Sequence, residues 1–364
     1  MIDFATWINT FDNESAFVEL LCDSIAAGRI FTSENDLRRL EFEETYKRYL
    51  PMELQTFCYG VSGSEAVEHA LVIAEHKKEK TKFLYFDRCY HGSSICLLNV
   101  SYPDSKRDSD YTFDALPHPI EYDGDDGMYL KDFFDNLPCN HNYAGVIVDP
   151  SFGNVVYDPG KKFFKTLRKC CSDNDLLLIF DEVRTGLGRT GELFAFVKYD
   201  IIPDILCISK AIANGLPLSV TIYDGKNIKK QDKEKLHYRL ETTFAGHDLA
   251  LLSAIYTIDK VSELIDSIRG TIERASKRLN ELLRYGFIKE IRSQGMIFGI
   301  DFVNSSTNEP SPLIALKFAN KVNKLGVRVN YPDFATIVIH PGLCLSERDL
   351  EQAIKVFHNV CESI

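Results

Sequence analysis

The stretch Leu176-Leu177-Leu178-Ile179-Phe180-Asp181-Glu182-Val183 decides the fold class, together with the shorter stretch Ile205-Leu206-Cys207-Ile208-Ser209-Lys210. Each is an apolar run of strand length that leads into a chemically active side chain, Asp181 in the first and Lys210 in the second. In an open α/β sheet, ligands bind in the crevice beyond the carboxyl ends of the strands. We therefore expect this acid and this lysine to lie at one ligand site.

Short β-rich runs alternate with helical patterns from about Tyr59 to Val220. The runs that predict buried strands cover residues 82–86, 144–148, 176–180 and 205–208. Helical patterns between them cover residues 65–76 and 161–171. This alternation is typical of a mostly parallel sheet that helices cover on both faces, so the predicted class is α/β.

The C-terminal third has a different pattern. Residues 248–264 and 265–285 are predicted to be helices, with Gly286 as a stop signal, and residues 296–302, 327–329 and 336–339 to be strands. A final helix is predicted to begin at Ser346. We therefore predict a large domain of residues 46–249 and a smaller α+β domain formed by residues 1–45 and 250–364.

The composition excludes several classes of protein. The chain has 364 residues, 45% of them hydrophobic, and a net charge of −11, which argues against nucleic-acid and anionic-membrane partners. Its longest apolar runs have strand length, so no membrane span is expected, and the N-terminus lacks the basic residues of a signal peptide. Ten scattered cysteines without a Cys-x-x-Cys pair are typical of reduced thiols in a cytoplasmic protein and predict no metal site.

An acid and a lysine at neighbouring strand ends fit one kind of cofactor chemistry. Asp181 would pair with a pyridine nitrogen, and Lys210 would form a Schiff base with an aldehyde, which are the partners that pyridoxal phosphate (PLP) requires. Taken singly, each residue has an ordinary explanation. An aspartate after a strand often caps the next helix, and most lysines are solvated.

Two further segments suit the same ligand. Ser62-Gly63-Ser64 precedes an amphipathic helix, where free backbone N–H groups and two hydroxyls form a site for a phosphate. Tyr90-His91-Gly92 follows a predicted strand and supplies an aromatic ring that would cover one face of a flat cofactor. A plain helix cap and core packing are the structural alternatives.

Together these segments resemble the class III (omega) PLP-dependent aminotransferases of fold type I. Residues 181–191 are similar to the family's longest signature, and Ser209-Lys210 follows at the family's spacing. Residues 61–67 resemble the phosphate-loop motif and residues 90–92 the ring-stacking motif. Thr243-Phe244-Ala245-Gly246 resembles the segment that reaches the phosphate of the neighbouring subunit.

The resemblance implies a role for each of these residues. Lys210 would carry the cofactor and move protons, Asp181 would hold the ring nitrogen, and Val183 and Tyr90 would cover the two ring faces. Residues 62–64 and the partner subunit's Thr243 would hold the phosphate, so a homodimer is expected. His91 and Arg184 belong to the same motifs and are also predicted to bind the cofactor. The implied substrates are an amino acid or primary amine and an aldehyde or ketone.

Several positions depart from the family's pattern. Arg184 replaces a usual Gln, and it would serve either the cofactor's phenolate or a substrate carboxylate. Asp149-Pro150 replaces Glu-Pro, which makes the acid one methylene shorter. Asn154 and Val338 replace a glutamate and an arginine that together handle an α-carboxylate, which makes glutamate a doubtful donor. Because Asn also marks the glutamate-1-semialdehyde aminomutase branch, the chain resembles that branch most.

Other functions stay open at this point. An aminomutase, a racemase or a decarboxylase would use the same scaffold and the same lysine. A non-catalytic homologue is a further alternative. The chain lacks the glutamate and arginine that handle an α-carboxylate, and it starts downstream of the family's usual N-terminal hairpin. Such a protein, however, has no need of Lys210 and Asp181. A nicotinamide-binding protein is a weaker alternative, since no Gly-x-Gly-x-x-Gly lies between the first strand and helix.

Overall fold

A computed structural model gives the structure of residues 1–6, 14–29, 36–102, 109–138, 141–226, 228 and 230–364. In chain order, the strands are β1 (Ile2–Asp3), β2 (Thr56–Gly60), β3 (Lys82–Phe86), β4 (Thr112–Leu116), β5 (Tyr143–Val148), β6 (Leu177–Asp181), β7 (Ile205–Ile208), β8 (Ser219–Tyr223), β9 (Ile288–Gln294), β10 (Ile297–Phe302), β11 (Val327–Arg328) and β12 (Thr336–Ile339). The α-helices are α1 (Ser15–Ala26), α2 (Asp36–Lys47), α3 (Gly63–Lys78), α4 (Leu98–Ser101), α5 (Met128–Asp135), α6 (Gly160–Asp173), α7 (Ala195–Tyr199), α8 (Lys230–Leu240), α9 (Asp248–Asn280), α10 (Pro312–Lys324) and α11 (Glu347–Cys361).

Seven strands form the central sheet in the order β2-β8-β7-β6-β5-β3-β4. Strand β8 is antiparallel to both of its neighbours, whereas the pairs from β7 to β4 are parallel. The predicted α/β class with a mostly parallel sheet is therefore confirmed. The carboxyl ends of β5, β6 and β7 lie side by side, and this edge positions the chemistry described below.

The predicted strands at residues 82–86 and 205–208 coincide with β3 and β7. Strand β5 begins one residue before the predicted 144–148, and β6 begins and ends one residue after the predicted 176–180. The predicted helical stretches at residues 248–264 and 265–285 are helical through Arg284, but they are not separate. Residues 248–280 form the single helix α9, followed by a 3₁₀ turn at Glu281–Arg284. The sequence has no Gly or Pro near Leu264 and Ile265 that would end the helix there.

Apolar residues form two main cores. One lies on the central sheet, and it includes Phe42 and Tyr46 of α2, which pack with Phe57 and Tyr59 of β2. The other combines α10, α11 and the three-stranded sheet β12-β10-β9 with Phe4 from the N-terminus. The division into domains at residues 45 and 249 stays a prediction.

None of the helices in the described ranges has the length and apolar character needed to cross a bilayer. Within the same ranges, no group of three or more His, Cys, Asp or Glu side chains is arranged to hold a metal ion.

Candidate active site

A cavity of about 130 Å³ opens at the carboxyl edge of the central sheet. Asp149 follows β5, Asp181 ends β6 and Lys210 follows β7, so three neighbouring strands deliver charged side chains to its wall. Eight of the ten predicted cofactor-binding residues line the cavity, and Asp149 and Gly92 line it in addition. The eight are Gly63, Ser64, Tyr90, His91, Asp181, Val183, Arg184 and Lys210.

The N-terminus of α3 forms one side of the cavity. Ser62 is its N-cap: its Oγ accepts a hydrogen bond from the Glu65 N–H at 3.3 Å, and the Glu65 carboxylate accepts one from the Ser62 N–H at 3.2 Å. This capping box fixes the first helical turn, whose remaining N–H groups favour an anion. Ser62 itself is not on the cavity wall, whereas Gly63 and Ser64 are.

Gly63 allows this turn to approach Val183 closely. A Cβ atom added at Gly63 would lie 2.7 Å from Val183 Cγ1, well inside ordinary contact distance. The helix terminus and the Val183 side chain therefore meet in the wall of the same cavity, and glycine is the residue that the packing requires at this position.

Asp181 is buried and its carboxylate is oriented by two contacts. Its Oδ2 lies 2.8 Å from His91 Nδ1, and its Oδ1 accepts a hydrogen bond from the Val183 N–H at 3.1 Å. His91 Nε2 has no hydrogen-bond partner in the part of the chain that the structure describes. A carboxylate accepts several hydrogen bonds, so Asp181 can accept a further one from a protonated ring nitrogen.

Lys210 begins a short 3₁₀ helix, Lys210–Ala213, and has the left-handed φ of +45°. Such a conformation is uncommon for a residue with a side chain, and it turns the chain sharply at the end of β7. Burial and, to a smaller extent, the nearby Arg184 lower the pKa of the Lys210 ammonium to about 8, against the opposing effect of Asp181 and Asp149. A lysine with a lowered pKa is a better nucleophile near neutral pH.

Arg184 is held along the segment that follows β5. Its Nη2 lies 3.0 Å from Asp149 Oδ2 and also donates to Ser151 Oγ and the Gly153 carbonyl, while Nη1 lies 3.3 Å from Asn154 Oδ1. Two departures from the family's pattern, Asp149 and Arg184, are thus in direct contact with each other. Neither Asp149 nor Gly92 was predicted to bind the cofactor, although both line the cavity.

Asn154 and Val338 have different surroundings. Asn154 Nδ2 donates to Asp333 Oδ2 at 2.9 Å, so its amide lies between Arg184 and Asp333. Val338 packs in a small apolar cluster with Val156 and Ile297.

Tyr90 and Thr243 occupy more exposed positions. Tyr90 is 38% exposed, and its ring meets the edge of Tyr102 with ring centroids 6.1 Å apart. Thr243 lies on an exposed turn and is not part of the cavity wall. The stacking role of Tyr90 and the phosphate role of Thr243 stay predictions.

The site has the groups that PLP requires: a helix N-terminus for the phosphate, a carboxylate for the ring nitrogen and a lysine for the aldehyde. The orphan Nε2 of His91 beside Asp181 is a further sign that the cavity is built for a polar ligand.

Comparison with known proteins agrees with this geometry. The family model described as "Aminotransferase class-III" matches residues 25–361, which is most of the chain. The chain belongs to the class III aminotransferase family. It is accordingly a PLP-dependent aminotransferase, and the bound cofactor supplies the electron sink for moving an amino group.

Individual relatives fall in the same family. The chain is 31% identical to a [LysW]-aminoadipate semialdehyde/glutamate semialdehyde transaminase of Sulfolobus acidocaldarius over 81% of this chain and 72% of the relative. It is 30% identical to an acetylornithine aminotransferase of Methanopyrus kandleri over 69% of this chain and 62% of the relative, less than two thirds of that protein. The PLP-bound structure of an amine transaminase from an uncultivated Pseudomonas species has a TM-score of 0.82 and 21% identity, covers 96% of this chain and 87% of that one, and supports the fold.

Proposed function

We propose that Lys210 is the residue that carries PLP and moves protons in this aminotransferase, with Asp181 as the partner of the ring nitrogen. The observation that carries the proposal is that both side chains and the N-terminus of α3 line one cavity. In the proposal, Gly63 and Ser64 bind the phosphate through the helix terminus, and Ser62 shapes that terminus as its cap. Val183 and Tyr90 cover the two ring faces, and His91 holds Asp181.

The proposed substrates are an amino acid or primary amine as donor and an aldehyde or ketone as acceptor. Relatives named for acetylornithine and for semialdehydes support this range. We also propose a cytoplasmic location, which is supported by the free cysteines in the described part of the chain.

Borohydride fixation tests the role of Lys210. The full-length protein is loaded with PLP, reduced with borohydride and digested, and the pyridoxyl group is located by peptide mass spectrometry. We expect the label on Lys210, none on a Lys210→Ala variant, and unchanged labelling in Lys198→Ala, since Lys198 pairs with Asp158 outside the cavity. A label on another lysine, or no uptake of PLP, would contradict the proposal.

We further propose a homodimer in which Thr243 of each subunit contributes to the phosphate site of the other. Its exposure on a turn away from the cavity of its own chain supports this assignment. Hybrid dimers of Lys210→Ala and Thr243→Val chains test it. If Thr243 acts across the interface, the hybrid contains one intact site and has activity that neither parent has; if it acts within its own chain, activity is not regained.

A second candidate is an aminomutase of the glutamate-1-semialdehyde type, which is the branch that the sequence resembles most. The Asn154 amide, held between Arg184 and Asp333, favours it because the branch also has Asn at this position. After reaction with an amino donor alone, a simple aminotransferase releases the oxo acid or carbonyl product. An aminomutase instead returns an isomer of the added substrate, which chromatography of the products distinguishes.

A further inference from the structure

Arg184 is a buried cation on the wall of the cavity that contains Lys210. Its side chain contacts Asp149, Ser151, Gly153 and Asn154, all within one short segment. The sequence left two roles open for it, a contact with the cofactor's phenolate or the binding of a substrate carboxylate. The contacts argue against the second role.

Asp149 is itself fixed in place. Its Oδ1 accepts hydrogen bonds from the N–H of Ser151 at 2.9 Å and the hydroxyl of Ser151 at 2.7 Å, and its Oδ2 accepts one from the Gly153 N–H at 3.2 Å. The segment then passes through left-handed backbone at Phe152 and Gly153, and a Cβ at Gly153 would lie 2.0 Å from the Arg88 carbonyl oxygen. The counter-ion of Arg184 thus belongs to a rigid turn.

A substrate carboxylate that bound at Nη2 of Arg184 would have to displace this counter-ion. The displacement is strongly unfavourable because the buried Asp149 carboxylate would lose its partner in a poorly hydrated environment. The guanidinium nitrogen nearest to Asp149 also donates to an oxygen of Ser151 and of Gly153. Arg184 is therefore built into the wall and is a poor receptor for an incoming anion.

We propose that Asp149 holds Arg184 in the cavity wall as a positioning residue, so that the guanidinium is a fixed positive charge in the cavity of Lys210 and does not receive a substrate carboxylate. The proposal rests on the proposed function of Lys210 and deepens it. The fixed charge favours the neutral, nucleophilic amine of Lys210, which is the form that attacks an aldehyde.

The electrostatic surroundings of Lys210 agree with this role. The charged groups that face Lys210 are Arg184, Asp181 and Asp149. His340, the residue that follows β12, also interacts with Lys210. Arg184 lowers the pKa of Lys210, whereas the two aspartates raise it. Burial lowers the pKa of the His340 imidazole well below its usual value, so that side chain is neutral near pH 7 and adds no positive charge.

The test measures the pKa of Lys210 directly in the full-length chain prepared without PLP. Acetylation of Lys210 by isotopically labelled acetic anhydride is followed by peptide mass spectrometry between pH 6 and 10. We expect Arg184→Gln to raise the pKa, and the labelling rate at pH 7 to fall about tenfold for each unit of that rise. Asp149→Asn removes the opposing negative charge and should lower the pKa.

Two variants separate charge from structure. Arg184→Lys keeps the positive charge but lacks the planar guanidinium group, so the pKa of Lys210 should stay low even if the protein is less stable. Arg292→Gln is the matched control, because Arg292 holds the neighbouring Val155 carbonyl at 2.8 Å and pairs with Asp301, but does not line the cavity. It should leave the pKa of Lys210 unchanged.

A second measurement uses the PLP-loaded protein and two donors, L-alanine and isopropylamine, which differ by the carboxylate. A positioning role predicts that Arg184→Gln weakens the binding of both by the same factor. A loss confined to L-alanine, or an unchanged Lys210 pKa in folded Arg184→Gln, would overturn the inference. Neither outcome touches the proposed function, which fails only if borohydride does not fix PLP on Lys210.

Discussion

Replacing Gly63 by alanine tests how closely the helix terminus and Val183 must pack. The new Cβ would lie 2.7 Å from Val183 Cγ1 and 3.2 Å from Cγ2, whereas carbon atoms in contact prefer about 3.5–4.0 Å. Either the first turn of α3 or Val183 must therefore move by about 1 Å. Both line the cavity, so in the proposed roles of Gly63 and Val183 the displacement reaches the phosphate end and one ring face together.

The expected cost follows from this clash. Overpacking a well-packed site costs about 1–3 kcal/mol, and alanine recovers up to about 1 kcal/mol of helix propensity. We expect a net loss of about 1–2 kcal/mol in the free energy of unfolding. Where PLP binding requires the unshifted wall, the same penalty makes binding about 5–30-fold weaker. Titration of the PLP-free protein with PLP, followed by absorbance, measures this ratio, and urea unfolding measures the stability.

A control variant and a compensating double variant help to interpret the result. Gly270→Ala, in the middle of α9, meets only the flexible end of Arg274 at 3.3 Å, and it should stabilise the protein by about 0.5–1 kcal/mol without changing PLP binding. Val183→Ala combined with Gly63→Ala should remove most of the clash penalty. Wild-type PLP affinity and stability in Gly63→Ala would refute the packing argument.

Three other changes have defined outcomes. Asp181→Asn should lower the transamination rate by on the order of 100-fold, measured as initial rates at saturating PLP, because a neutral amide no longer stabilises the charged ring nitrogen; a rate near wild type would contradict that role. Burial raises the pKa of Glu182 to about 8, although its carboxylate accepts the N–H groups of Ala195 at 2.6 Å and Phe196 at 2.9 Å. Since the folded pKa exceeds the unfolded value, the stabilising contribution is complete below pH 4.5 and is lost as the pH rises through about 8. Glu182→Gln should therefore flatten the decline in the free energy of unfolding between pH 5 and 8, measured by urea titration, and equal slopes would count against it. Gly153→Ala should destabilise by at least about 2 kcal/mol, whereas Gly160→Ala, which has a similar φ and open space, should cost about 1–2 kcal/mol for strain alone; equal melting temperatures would be inconsistent with the clash.

The chemistry-bearing residues were the most predictable part of the molecule. Asp181 and Lys210 follow uninterrupted apolar strands, and local sequence is enough to place them at the carboxyl edge of a sheet. The helix cap at Ser62 was equally local, because a serine followed three residues later by Glu65 is a capping signal.

Elements that depend on distant partners were harder to predict. Strand β4 has a single buried residue, Leu116, and the mixed sequence Thr-Phe-Asp-Ala-Leu, so its formation depends on pairing with β3. Strands β2 and β8 pair with each other although they are far apart in sequence, and neither was predicted as a strand.

Contacts between residues that are distant in sequence were also the part of the site that could not be predicted. Asp149 and Arg184 are 35 residues apart, and His91 and Asp181 are 90 residues apart. Sequence identified both departures from the family's pattern at positions 149 and 184 but not that they touch. Side-chain pairing across separate loops is set by tertiary packing, which no local pattern encodes.

The most direct test of the account is a single half-reaction. The PLP-loaded protein is mixed with an amino donor and no acceptor, and the visible absorbance of the cofactor is followed to completion. We expect stoichiometric conversion to pyridoxamine phosphate, released on denaturation, and none in Lys210→Ala. Recovery of unchanged PLP from the wild-type protein, with every donor tested and with the donor shown to bind, would contradict it.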